Sequence, residues 1–103
     1  MKIELYYFDG CPSWKQALEN LERALREEGI VADVETIRVE SEADAEAKRF
    51  IGSPTIRIDG VDLEGPQAEE KGYGFGCRVY AYNGRYAPFP SVEQIRAALA
   101  GRR

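Results

Sequence analysis

The stretch Tyr7-Phe8-Asp9-Gly10-Cys11-Pro12-Ser13-Trp14 decides how the chain is built, because it joins two patterns of different period. Before it, Lys2 to Phe8 alternates, with Ile3, Leu5 and Tyr7 on one face and Lys2, Glu4, Tyr6 and Phe8 on the other. A period of two describes a strand, and because its second face is only partly polar the strand lies inside a sheet. After it, Trp14, Ala17, Leu18, Leu21 and Leu25 recur at helical spacing until Gly29 supplies a C-terminal stop. Asp9-Gly10 is a turn pair, and Pro12 suits the first helical position. The pattern therefore predicts a strand, a tight turn and a helix that begins at Cys11.

Further along, Ile30 to Val39 carries Val31, Val34, Ile37 and Val39, a β-branched run that reads as a second strand. Ser41 with Asp44 three residues on resembles a capping box, and Ala43, Ala47, Phe50 and Ile51 follow at helical spacing, which predicts a short second helix. Gly52-Ser53-Pro54 breaks it, and Thr55 to Asp59 alternates as a third strand ending in the turn pair Asp59-Gly60. From Gly60 to Gly76, five glycines, Pro66 and several acids leave no period, so the segment reads as a long surface loop. Cys77 to Tyr82 reads as the fourth strand, Asn83-Gly84 as a hairpin turn, and Ser91 with Gln94 as a cap for a last helix bearing Val92, Ile95, Ala98 and Leu99. The order is β-α-β-α-β-β-α: one domain, residues 1–103, of α/β class, with a four-stranded mixed sheet flanked by three helices.

Composition narrows the chemistry. The 103 residues hold two Cys and no His, with 14 Lys+Arg against 18 Asp+Glu and a formal charge of −4. Without His there is no Ser-His or Cys-His nucleophile pair and no zinc site built on imidazole. Soft chemistry falls to cysteine. No basic run precedes Arg102-Arg103, which argues against binding along a nucleic-acid backbone. No apolar run is long enough for a signal core or a membrane span, and two cysteines 66 residues apart do not make a disulfide scaffold. The expectation is a cytoplasmic protein, with no membrane or nucleic-acid partner and no cofactor, a monomer or weak dimer whose thiols rest reduced.

Taken with Cys11 at the strand-to-helix junction and Ser53-Pro54-Thr55 at the helix-to-strand junction, the element order resembles the thioredoxin fold in its short, glutaredoxin-like form. The stretches 7–14, Gly52-Ser53-Pro54-Thr55 and Cys77-Arg78-Val79-Tyr80 are similar to a group of small bacterial thioredoxin-like proteins, some of whose names refer to organomercurial cleavage. The resemblance implies a reactive thiol at Cys11 facing a cis proline at Pro54. It implies too that Pro12, Ser13, Trp14, Ser53, Pro54 and Thr55 form the substrate site, with Ser53 backbone groups free to pair with an extended substrate. The chain departs from the dithiol pattern in one place: Trp14 stands where Cys-x-x-Cys has its second Cys.

A thiol at a helix start is favoured as thiolate by the macrodipole and by N–H groups, here those of Ser13 and Trp14. The alternative for Cys11 is an inert packing residue, since free Cys is often buried. For Cys77, strand pairing across Asp59-Gly60 places it at the far end of the sheet, about 15 Å or more from Cys11, as a packing residue. If the glycine-rich loop folds back instead, Cys77 is a resolving thiol or a second ligand for a soft metal. Three functions follow: exchange of a protein or small-molecule disulfide, or redox sensing through sulfenic acid, at a single thiol Cys11; a carrier of mercury or copper on Cys11 with or without Cys77; or a non-catalytic module binding a partner through the loop.

Overall fold

The computed structural model describes residues 1–102. At its centre, β1 (Ile3–Tyr7) pairs in parallel with β2 (Val34–Arg38), and α1 (Trp14–Glu27) crosses between them. On its other side β1 pairs antiparallel with β3 (Thr55–Ile58), which turns back into β4 (Val61–Asp62). The sheet order is β2-β1-β3-β4, so a four-stranded mixed sheet is present as expected. Its fourth strand is not the expected one. Asp59 and Gly60 both take positive φ (51° and 83°), the geometry of a two-residue hairpin, and send the chain back at once as Val61–Asp62. Tyr80–Tyr82 (β5) pairs instead with Arg85–Ala87 (β6) across Asn83-Gly84, in a separate two-stranded ribbon.

The two faces of the sheet are covered unequally. Ile3, Leu5, Ile56 and Ile58 pack against Ala17, Leu21, Ala24 and Leu25 of α1 and against Ile95 and Leu99 of α3 (Val92–Ala100). On the opposite face Tyr6, Val39, Ala45 and Phe50 form a smaller cluster under α2 (Glu42–Ala47). The helix caps follow the sequence: Asp44 N donates to Ser41 Oγ at 3.0 Å and Gln94 N to Ser91 Oγ at 3.1 Å. α1 differs at its start. Its first helical residue is Trp14, with Ser13 as the N-cap residue and no side-chain cap, so Cys11 sits in the turn ahead of the helix.

The segment 60–76, expected to be structureless, holds β4 and a 3₁₀ helix at Pro66–Lys71. Arg49 joins that helix to the body of the protein through paired bonds to the Glu69 carboxylate. No helix among the described residues is long and apolar enough to cross a membrane.

Candidate functional site

Three pieces of backbone converge on Cys11: the turn after β1, the Gly52-Ser53-Pro54 corner before β3, and residues 74–78. The Ser53-Pro54 peptide bond is cis. The Cys11 amide donates to the Phe8 carbonyl at 3.1 Å, and its thiol, 3% exposed, faces the Ser53 carbonyl at 3.6 Å. This replaces the expected N–H bonds from Ser13 and Trp14, and with the helix starting three residues later the macrodipole acts from farther off.

Cys77 takes the second of its two expected places, brought back to Ser53 by the glycine-rich segment. It is exposed rather than packed, and it is not at the far end of the sheet. It forms a parallel bridge with Ser53, in which the Ser53 amide donates to the Gly76 carbonyl (2.7 Å) and the Arg78 amide to the Ser53 carbonyl (3.1 Å). Both cysteines are therefore held on Ser53. The pKa of the Cys77 thiol is pushed up, first by burial of the part that faces the protein, then by the charge and the hydrogen bond of the Cys11 thiol beside it.

The same bridge settles the use of the Ser53 backbone. Its N–H and C=O were expected to be free for an extended substrate; both are taken by the chain's own residues 76 and 78. The side chains of the corner also face inward. Ser53 and Thr55 are fully buried, Pro54 nearly so, and the Ser53 hydroxyl accepts from Phe8 N at 3.4 Å. Of the other expected site residues, Pro12 is exposed and Ser13 half-buried, while Trp14 stacks on Tyr7 with ring centroids 4.0 Å apart and packs against the core beside the turn.

Several residues outside the expected substrate site hold it in place. Arg78 is 7% exposed and clamps the segment from below: Nη1 donates to Asp62 Oδ2 (2.8 Å), and Nη2 donates to Asp62 Oδ1 (3.2 Å) and Glu64 Oε1 (2.7 Å). Burial works against its charge, but Tyr80, Asp62 and Glu64 outweigh this and hold its pKa above the ordinary range. The guanidinium lies 4.2 Å from the Tyr80 ring centre, and the Tyr80 hydroxyl donates to the Pro54 carbonyl. Burial, ahead of the neighbouring charges, raises the Tyr80 pKa and keeps that donor protonated. Gly52 makes the close approach possible: a Cβ built there meets Arg78 Cβ at 2.8 Å, and its φ of +125° is one that L side chains rarely adopt.

On the outer side Gly74 N donates to the Phe50 carbonyl (2.9 Å), Phe75 N to Glu42 Oε1 (3.1 Å), and the Phe75 ring lies 4.8 Å from that of Phe8. One cue to this arrangement lies in the alternation of 77–80. Arg78 and Tyr80 are buried while Cys77 and Val79 are exposed, so the polar Arg points in and needs acids such as Asp62 and Glu64 within reach. Arg57 belongs elsewhere: it lies over Tyr6 and donates to the carbonyls of Lys48 and Arg49.

Two thiols on one corner can exchange with a disulfide and close on each other, or can share a soft ion. Among the described residues no group of three or more His, Cys, Asp and Glu gathers as a metal site. Comparison with protein-family models, with curated proteins and with solved structures returns no match.

Proposed function

We propose that the chain is a thioredoxin-like thiol–disulfide exchange protein whose working groups are Cys11 and Cys77. The observation that carries this reading is the seating of both cysteines on Ser53, one through its thiol and one through its backbone. The order β-α-β-α-β-β-α in the main body and the proline corner opposite the thiol after β1 support the fold assignment. The expected single-thiol cycle becomes a two-thiol cycle in which Cys77 stands in for the residue that Trp14 displaces.

The steps balance without a cofactor. One thiolate attacks a disulfide RS–SR′, forming a mixed disulfide and releasing R′S⁻, which takes up a proton. The second thiol, on losing its proton, attacks the mixed disulfide and releases RS⁻. The substrate gains two electrons and the protein is left with a Cys11–Cys77 disulfide.

The test is to oxidise the reduced protein with diamide, digest it and search by mass spectrometry for the peptide pair joined through Cys11 and Cys77. The joined pair is expected as the main monomeric product, lost in Cys11→Ser and in Cys77→Ser. Oxidation that stops at the one-thiol diamide adduct or at intermolecular dimers refutes the two-thiol reading.

The paired thiols also support a second reading, a two-coordinate site for a soft ion such as Hg(II) or Cu(I). It requires one ion per chain, bound by the reduced protein and lost with either thiol.

A further inference from the structure

We infer that Cys77, not Cys11, makes first contact with substrate, and that the substrate is a low-molecular-mass disulfide rather than a disulfide within an extended polypeptide. The inference rests on the exchange reading above and assigns its order and its substrate class.

Access separates the two thiols. Cys11 is 3% exposed and lies beneath the Ser53 carbonyl, whereas Cys77 is exposed. In-line attack on a disulfide needs room for both sulfurs of the substrate beyond the attacking thiolate. Solvent offers that room at Cys77. Cys11 is then placed to attack the sulfur of Cys77 once it carries the substrate half.

The second step concerns how a substrate is held. A polypeptide docking beside a sheet corner draws its affinity from main-chain hydrogen bonds. Here the Ser53 N–H and C=O are committed to Gly76 and Arg78. Residues 74–78 are fixed from both sides, outward by Phe50, Glu42 and Phe8 and inward by Asp62 and Glu64, so the position an incoming strand needs is held by the chain itself. A small disulfide requires no main-chain pairing, only a path to one exposed sulfur.

In the reaction the Cys77 thiolate attacks RS–SR, forms Cys77–S–SR and releases RS⁻. The Cys11 thiol, giving its proton to solvent or to a departing thiolate, attacks the Cys77 sulfur and expels the second RS⁻. The protein is oxidised to the Cys11–Cys77 disulfide and RS–SR is reduced to two RSH.

The experiment mixes reduced wild type, Cys11→Ser and Cys77→Ser with 2-hydroxyethyl disulfide, and separately with insulin, and follows adducts by intact mass and thiol release with time. Circular dichroism establishes that each variant is folded, and Cys11→Ala replaces Cys11→Ser should the latter fail to fold. The expected result is that Cys11→Ser accumulates a mixed disulfide on Cys77 at the wild-type rate of first thiol release or faster, while Cys77→Ser captures the probe at least about tenfold more slowly because its remaining thiol is buried. Insulin disulfides are expected to react at least about tenfold more slowly than the probe, the effect of two unavailable main-chain hydrogen bonds. Faster capture by Cys77→Ser than by Cys11→Ser overturns the order, and insulin reacting as fast as the probe overturns the substrate class; both leave the exchange reading standing. Wild type that forms no Cys11–Cys77 disulfide with either substrate overturns the exchange reading and the inference with it.

Discussion

Replacing Arg78 with Ala tests whether the buried clamp, rather than local backbone preference, holds residues 74–78 against the Ser53 corner. The Arg78 and Asp62 side chains are 5% and 3% exposed, and the pair is bidentate, with a further bond to Glu64. Removing the cation leaves the Asp62 carboxylate buried without its partner, a change that costs about 3–5 kcal/mol in comparable sites. Losing the aliphatic stem and the guanidinium stacked on Tyr80 adds to that. Because a domain of this size has about 5–15 kcal/mol in total, the variant should keep a measurable but narrow folded baseline. Urea unfolding followed by circular dichroism under reducing conditions reads the loss as a shift in midpoint at unchanged slope. Arg78→Ala combined with Asp62→Asn should recover part of the loss, with a coupling of about 0.5–3 kcal/mol. A single-variant cost below about 1 kcal/mol, or strict additivity with Asp62→Asn, refutes the clamp.

Other predictions use different probes. Gly52→Ala places a Cβ 2.8 Å from Arg78 Cβ at a φ of +125°, so it should lower stability by about 1–3 kcal/mol, read as a drop in thermal midpoint. Cys11→Ala removes the second and third causes that raise the Cys77 thiol, leaving burial; the pH profile of Cys77 alkylation should move toward the ordinary cysteine range without reaching it. Because that folded pKa is raised, the neutral thiol's stabilising contribution is present below the ordinary range near pH ~8.5 and lost as pH rises through the folded value, so alkaline unfolding should come later in Cys11→Ala. Glu69 is held down to about 2, first by the hydrogen bonds from Arg49, so its contribution is present above the ordinary carboxylate range near ~4.3 and lost as pH falls through about 2. Glu69→Gln should flatten the acid side of the stability curve, and an unchanged slope between those values would count against the ion pair.

The parts of the fold legible in sequence are those fixed by local periodicity. The alternation of Ile3, Leu5 and Tyr7 and the helical spacing of Ala17, Leu21 and Leu25 become β1 and α1 because each pattern has one face to bury. Ser41 and Ser91 cap their helices because the bond runs only three residues. The fourth strand was misplaced because both Asp59-Gly60 and Asn83-Gly84 make two-residue hairpins: each turn pairs its own neighbours, so Thr55–Ile58 never reaches Tyr80–Tyr82. The expected strand pairing carries Cys77 to the far end of the sheet, whereas the alternative, a folded-back loop, brings it to Ser53. Its true position depends on contacts of long range, Arg78 with Asp62 and residues 76 and 78 with Ser53, which no local pattern records.

That long-range placement changes what a pair of thiols does for the protein. In a Cys-x-x-Cys site the disulfide closes a loop of only a few residues and constrains the unfolded chain little. Here the cysteines are 66 residues apart, and closing a loop of that length removes chain entropy worth about 4 kcal/mol in the loop-closure model. On the proposed cycle the oxidised form is therefore stapled across the turn after β1 and the segment entering β5. By linkage, stability gained from the disulfide equals the difference in its ease of reduction between the folded and the unfolded chain, and about 4 kcal/mol corresponds to roughly 90 mV between those two states. On that cycle folding makes the pair a better reductant than the same two thiols in the unfolded chain. The Arg78 clamp sharpens this, because it positions Cys77 before the bond forms and so avoids spending the loop-closure gain on ordering the segment. On the proposed cycle both effects favour reduction of the incoming disulfide by the folded chain.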